Sequence, residues 1–324
     1  QFLENYRYQP GSQLANLTQP LVQTGTRPSA RLRTIQRIVS ATSIQRNPIL
    51  WFALNITLPW DLFFAYRLHQ VQQTLAQLLP DWLTVLYEVE ALNALAHFAW
   101  LNPLYTFPQI IESSEFHGKQ LGHPLIPKAE RICNDFSLAK LGEVALLTGS
   151  NMSGKSSFLR TVGVNLCLAN AGSVVCADQL QIGLFRLFTC IKVSDSVIDG
   201  VSYFYAEVKR LKALLDALQQ PDELPLFFLI DEIFRGTNNR ERQIGSQAYL
   251  QALTQYNGCG LLTTHDLELI RLAEDNPRLT NYHFRETIQD GRMVFDYRLR
   301  PGGSPTTNAL KIMALAGLPL PPET

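Results

Sequence analysis

The apolar positions follow two regimes along the chain. From Leu62 to Leu101 they recur every three or four residues, through Leu75, Leu78, Leu79, Leu83 and Leu86, then Val89, Leu92, Leu95, Ala96 and Ala99. That spacing is the stripe of an amphipathic helix. Pro80-Asp81 offers a stop and a restart, so two long helices are predicted, the second ending at Asn102-Pro103. Just upstream, Pro48–Tyr66 (PILWFALNITLPWDLFFAY) is nearly all apolar, interrupted by Asn55, Thr57, Pro59 and Asp61. A membrane-spanning helix needs about 20 mainly apolar residues without such breaks. The run reads better as a helix buried against protein, with its aromatics leaving a membrane-adjacent role as the alternative. Residues 1 to about 101 therefore read as all-helical, and the domain boundary is placed at 108/109.

Beyond Pro108 the pattern changes. Glu143–Gly149 (EVALLTG), Pro225–Asp231 (PLFFLID) and Cys259–Thr264 (CGLLTT) are short apolar runs of the kind that form strands buried on both faces. Helical stretches are predicted between them at Lys155–Asn170, Tyr203–Gln219 and Arg240–Gln255. This alternation predicts an α/β fold with a mostly parallel central sheet over residues 109–324. Asn281–Ile288 and Arg292–Leu299 alternate around Gln289-Asp290-Gly291, which signals a hairpin. A last short helix is predicted over Thr306–Ala316.

Composition narrows the class. The 324 residues exceed one average domain, and the 46% hydrophobic share excludes wholesale disorder. Only 17% are charged, below the roughly 25% of typical soluble domains, which suggests surface hidden against the chain itself or a partner. The 28 basic and 28 acidic residues cancel, which excludes a globally basic nucleic-acid binder but not a local patch. Residues 1–80 hold seven arginines, no lysine and two acids (Glu4 and Asp61), a net +5. Five of those arginines lie between Arg27 and Arg46. They read equally as a phosphate-contacting surface on DNA or as a solvated helix face. The five cysteines, Cys133, Cys167, Cys176, Cys190 and Cys259, include no CxxC pair. Buried thiols in a reducing cytoplasm are the expectation. The chain starts at Gln1 rather than Met, so a partial or processed chain is expected.

The chemistry concentrates at one motif. Gly149-Ser150-Asn151-Met152-Ser153-Gly154-Lys155-Ser156 fits GxxxxGK[ST], ends a predicted strand and opens a predicted helix. Glycines let backbone N–H groups curl around phosphate oxygens, and the helix N-terminus adds its dipole. Lys155 would reach the β- and γ-phosphates, and the Ser156 hydroxyl would bind Mg²⁺. A chance Gly-rich turn is the competing reading, and the strand–loop–helix context argues against it. Asp231-Glu232 closes another strand, 76 positions after Lys155. Asp231 would join the Mg²⁺ shell and Glu232 would orient or deprotonate the attacking water. His265 follows the third strand and would sense the γ-phosphate or position water.

Together these segments resemble the MutS family of DNA mismatch-repair ATPases, and more broadly the ABC-type ATPases, over roughly Ala91 to Pro319. Gly149–Ser157 (GSNMSGKSS) is similar to the family's GPNMGGKST loop, and Asp231–Asn238 (DEIFRGTN) to its DEIGRGTS segment. Thr264-His265 resembles its switch Thr-His pair, and Gly200–Glu207 (GVSYFYAE) its GRSTFMVE signature. His123-Pro124 resembles the pair opening the family's ATPase domain, Ser304–Pro319 its closing helix, and Val89–Asn102 part of its helical region.

The resemblance implies an ABC-type P-loop NTPase domain behind a partial helical lever, working as a homodimer in the cytoplasm. ATP and Mg²⁺ are the implied cofactors. Hydrolysis at the dimer interface would drive a clamp on mismatched or branched DNA, in mismatch repair or a related recombination role. It also implies that Gly149, Ser150, Asn151, Met152, Ser153, Gly154, Lys155, Ser156 and Ser157 hold the nucleotide. Asn151 would touch its γ-phosphate, and Ser202 would reach the partner's nucleotide, with Glu207 beside it. Arg131 and Phe136 are candidates for stacking on adenine. Ser150 replaces the family's loop proline, Ser153 a glycine, Ser157 a threonine and Phe234 a glycine. These departures indicate a divergent branch. The family's mismatch-reading domain is expected upstream of Gln1. Two rivals remain at this point: another ABC-type chromosome or recombination ATPase, whose LSGGQ-like signature does not occur here, and a nucleotide-gated membrane-associated scaffold.

Overall fold

The computed structural model describes residues 1–191, 203–220, 224–234, 238–289 and 292–303. Contacts divide the chain into two units, Gln1–His97 and Phe98–Thr324.

The first unit is helical throughout its ordered elements. Helices α1 (Phe2–Asn5), α2 (Gln13–Leu17) and α3 (Gln19–Val22) precede α4 (Pro28–Thr42), α5 (Pro48–Thr57) and the long α6 (Trp60–Leu101). Its small core joins Leu21, Trp82 and Val85, with Leu3, Leu17, Leu75, Leu78 and Val89 packed around them. This core explains why the break expected at Pro80-Asp81 is absent. Helix α6 continues through Pro80 without a break. A mid-helix proline removes one backbone bond and crowds the preceding turn. Here apolar residues on both sides of it, Leu75 and Leu78 before and Trp82 and Val85 after, dock on the same N-terminal segment, and tertiary packing overrides the local signal. The Pro48–Tyr66 run also departs from expectation. It forms two helices bent by 84° rather than one, and α5 contains no buried residue.

The second unit is a mixed α/β fold. In chain order it carries β1 (Gln109–Ile111), β2 (Phe116–Leu121), β3 (Asn134–Leu138), β4 (Val144–Thr148), α7 (Lys155–Asn170), β5 (Gln179–Gly183) and β6 (Arg186–Cys190). Then follow α8 (Tyr203–Gln219), β7 (Leu226–Asp231), α9 (Asn239–Leu253), β8 (Gly258–Thr263), α10 (Leu267–Asp275), β9 (Leu279–Gln289) and β10 (Arg292–Pro301). The main sheet has the order β10-β9-β4-β8-β7-β6, with only β10 antiparallel to its neighbour. Its last pair is the expected hairpin, with Gln289 opposite Arg292. A second sheet has the order β1-β5-β2-β3.

The strands of the main sheet are apolar at consecutive positions because both faces are covered. Ala145, Leu147, Phe227 and Leu229 point into a core shared with α7 and the smaller sheet. Val144, Leu146, Phe228 and Ile230 point into the opposite core, shared with α8, α9 and α10. The period-two alternation of β-strands thus splits each run between two cores.

One buried polar residue links these layers. Asn165 on α7 donates from Nδ2 to Gly122 O (3.0 Å) and Thr161 O (2.8 Å), and accepts from Cys176 N–H (2.7 Å). Replacing it with leucine keeps the volume but strands a buried N–H and a carbonyl. We expect Asn165→Leu to cost about 2–3 kcal/mol and to lower Tm by roughly 4–12 °C. A calorimetric melt within 1 °C of the parent would remove this residue from the account. Among the cysteines, Cys176, Cys190 and Cys259 are buried as expected, whereas Cys133 is half-buried and Cys167 lies exposed on the solvent side of α7.

Candidate active site

The site lies where β4, β7 and β8 end. Leaving β4, the chain turns through Gly149 at φ 140° and Gly154 at φ 112°, both in the region that favours glycine. A Cβ on Gly149 would stand 2.7 Å from Ser153 Oγ and 2.9 Å from Phe284 O, so the loop closes only without one. Met152 also adopts a positive φ, 68°, and its side chain is exposed. Helix α7 then starts at Lys155.

Lys155 is buried, and its ammonium donates to the carbonyls of Gly149 and Ser150, both at 2.8 Å. Ser156 Oγ donates to Asp231 Oδ2 at 2.7 Å across from β7. On the neighbouring strand, Thr263 Oγ1 donates to Asp231 Oδ1 (2.8 Å) and accepts from Glu232 N–H (3.0 Å). His265 Nε2 stands 2.9 Å from Glu232 Oε1. Five residues from three separate segments therefore form one connected chain, Ser156–Asp231–Thr263–Glu232–His265, with the Thr263–Glu232 link made through the Glu232 backbone N–H. Thr263 is the member that the sequence did not single out. It reads as one more residue of an apolar strand, and only the parallel register, which pairs Asp231 with Thr263, brings it to the site.

Strain accompanies the carboxylate end. Glu232 and Phe234 both sit at φ 56°, a conformation that is costly for residues with a Cβ. Phe234 stands where the resembled family has glycine. Its N–H donates to Glu207 Oε1 at 2.6 Å, and its ring packs near Phe204 and Tyr249, which holds the strained backbone in place. Glu207 thus acts through the loop behind Glu232. Ser202 lies outside the described residues, as does the helix expected at Thr306–Ala316.

Two features fit this loop to a phosphate group. The hydroxyls of Ser150 and Ser153 are buried without a hydrogen-bond partner among the described residues. The glycines leave space that a Cβ would fill. Asn151 and Ser157 flank the same turn, at its exposed tip and on the first turn of α7. Beside Gly154 opens a cavity of about 270 Å³, bordered by His123, Ile126, Ile132, Ser157, Phe158 and Tyr297. Burial, with Arg160 and Arg131 nearby, pushes the pKa of the His123 imidazole beside this cavity below its ordinary value. Of the two residues expected to stack on adenine, Phe136 is excluded. It is buried among Phe116, Phe158 and Tyr282, because alternation along β3 points it into the core. Arg131 lies instead over the Tyr105 ring, with its Nη1 on Cys176 Sγ.

The fold and this strand-end cluster define a mixed α/β domain with a glycine-cornered loop facing an Asp-Glu pair. Comparison with known proteins gives the lineage. The model of MutS domain V matches residues 145–321. The DNA mismatch repair protein MutS of Chloroflexus aurantiacus is 35% identical over 239 residues, covering 71% of this chain and 24% of that protein. Those of Exiguobacterium sp. and Roseiflexus castenholzii are 32% and 34% identical, covering 82% and 72% of this chain. The chain belongs to the MutS family. It spans 24%, 31% and 22% of the length of these three relatives.

Proposed function

We propose that this chain carries the Mg²⁺-dependent ATPase of a MutS-type protein, an ABC-type P-loop NTPase domain that acts on DNA and closes as a homodimer. The observation that carries the reading is the connected chain from Ser156 to His265, set against the Gly149–Ser157 loop.

When bound, ATP supplies the phosphoanhydride that is cleaved, and Mg²⁺ neutralises charge on its phosphate oxygens. Ser156 and Asp231, hydrogen-bonded to each other at 2.7 Å, are the residues that would hold the metal. Lys155, the Ser150 and Ser153 hydroxyls, Asn151 and the backbone of Met152 to Ser157 hold the phosphates. The cavity beside Gly154 takes the base. Thr263 fixes the Asp231 carboxylate and the Glu232 backbone at once, so the metal-binding and water-activating groups keep a set separation. Glu232 accepts the proton of the attacking water, and His265 holds the free carboxylate oxygen in position. By the resemblance of Gly200–Glu207 to the family signature, Ser202 would contact the partner's nucleotide. Action on mismatched DNA is carried over from the relatives' names, which say DNA mismatch repair, and branched duplex is the alternative that the sequence resemblance offered.

The test is phosphate release from ATP with and without Mg²⁺, alongside binding to homoduplex, mismatched and branched DNA with and without ATP. No ATP binding by calorimetry rejects the nucleotide reading. Equal, ATP-independent affinity for all three DNAs rejects the coupling to DNA structure. Thr263→Val, nearly the same shape without the hydroxyl, is expected to lower kcat by about 10- to 100-fold with little change in ATP affinity. An unchanged kcat would show that the threonine only fills space.

A further inference from the structure

The tip formed by α5 and the start of α6 has an unusual composition for exposed protein. Eight of the ten residues of α5 are apolar, yet none is buried. A helix that is apolar all round normally sits in a protein core or in lipid. Ile49, Phe52 and Ile56 on α5 are 84%, 62% and 67% exposed, and Leu58, Leu62 and Phe63, next along the chain, are 55%, 75% and 55% exposed.

The polar groups of this tip are bonded internally. Asn55 Nδ2 donates to Trp51 O and Thr57 Oγ1 to Ala53 O, each back into its own helix. Asp61, the single acid between Glu4 and Asp81, accepts from Trp51 Nε1 (2.8 Å) and Gln45 Nε2 (3.3 Å). Trp60 Nε1 donates to Ala41 O. Neutral groups already bonded this way lose little on leaving water, whereas unbonded ones oppose it. Cations flank the apolar block. Arg46 precedes it, Arg67 follows it, and Arg37 lies one turn before Ala41.

We propose that this tip is a docking surface for an anionic lipid bilayer. Apolar side chains and ring edges enter the headgroup boundary while the flanking arginines meet lipid phosphates and carboxylates. Among the described residues no single helix is long and apolar enough to cross a membrane, and the α5–α6 pair, which passes by length and composition, is bent by 84°. That geometry suits a helix pair lying at the surface. Duplex DNA fits less well, because it offers phosphates to the arginines but nothing to six exposed aliphatic and aromatic side chains. A second copy seated tip on tip would place Arg46 and Arg67 against their own likes. The contact is independent of the ATPase reading.

The test is co-sedimentation of the full chain with vesicles of phosphatidylcholine containing 30% phosphatidylserine, against phosphatidylcholine alone, with circular dichroism as the check on folding. Binding to the anionic vesicles is expected to weaken with salt. Ile56→Asp with Phe63→Asp should reduce it by at least about tenfold. Arg46→Gln with Arg67→Gln should reduce it by about fivefold per arginine. A second readout avoids dependence on those variants. Lipids brominated in the acyl chain should quench tryptophan emission of the parent protein, and less so after Trp51→Phe. Absence of vesicle binding by the parent, or binding unaffected by the apolar pair of substitutions in folded protein, overturns the proposal. So does loss of duplex-DNA affinity or of dimerisation in those variants when the parent shows no vesicle binding.

Discussion

Glu232→Gln is expected to bind ATP as the parent does, within about threefold, and to hydrolyse it about 10²- to 10³-fold more slowly. The substitution preserves shape and leaves intact the backbone bond from residue 232 to Thr263 Oγ1 (3.0 Å), so the strand end keeps its place. Ser156, Asp231 and Lys155 are untouched, so the groups that hold metal and phosphates remain. What disappears is a carboxylate able to accept a proton, and general-base contributions are commonly worth 10² to 10⁴ in rate. The neighbour sharpens the expectation. His265 stands 2.9 Å from Glu232 Oε1, and an imidazole that steadies a carboxylate has less hold on a neutral amide. Single-turnover phosphate release, paired with a calorimetric titration, separates the two effects. Turnover within about threefold of the parent would dismiss Glu232 as the base. A large loss of affinity would assign it to binding instead.

The α/β layer was legible in the sequence because its strands are buried on both faces. Such strands are written as unbroken apolar runs, and Val144–Thr148, Leu226–Asp231 and Gly258–Thr263 stand within a residue or two of where the runs place them. Helix α7 matches its expected span because the turn at Gly154, with its positive φ, fixes its start, and it ends at Asn170. The smaller sheet was not legible. Phe116–Leu121 (FHGKQL) has no clean alternation, and it becomes a strand by pairing with Asn134–Leu138 and Gln179–Gly183, a relation local pattern does not encode. Pro80 misled for the reverse reason. A strong local stop signal lost to apolar contacts made by residues on either side of it. At the site, the charged and loop residues were legible because their chemistry is unusual. Thr263 was not, since its role exists only through its cross-strand partner Asp231.

Lys155→Ala is expected to weaken ATP binding by about 10²- to 10³-fold, with a smaller loss for ADP. The reasoning begins with burial. A lysine only 5% exposed is costly to keep unless its ammonium's donors are used, and here they hold the carbonyls of Gly149 and Ser150 at 2.8 Å. Those carbonyls belong to the loop that would face the phosphates, so the lysine both shapes the loop and supplies its charge. A charge-assisted bond is worth about 1.5–3 kcal/mol, and about 1.4 kcal/mol is tenfold in affinity. With more than one such bond to the terminal phosphates, the loss falls in the stated range and is larger for the nucleotide with the extra phosphate. Lys155→Arg separates charge from fit. It keeps the charge but brings a planar group into a space filled by a slim ammonium, and we expect it to restore less than a tenth of the lost affinity. If alanine bound ATP within about threefold of the parent, the Gly149–Ser157 turn would not be a phosphate-binding loop. The nucleotide reading of the strand-end cluster would fall with it, while the proposed lipid contact of the α5–α6 tip would stand or fall on its own test.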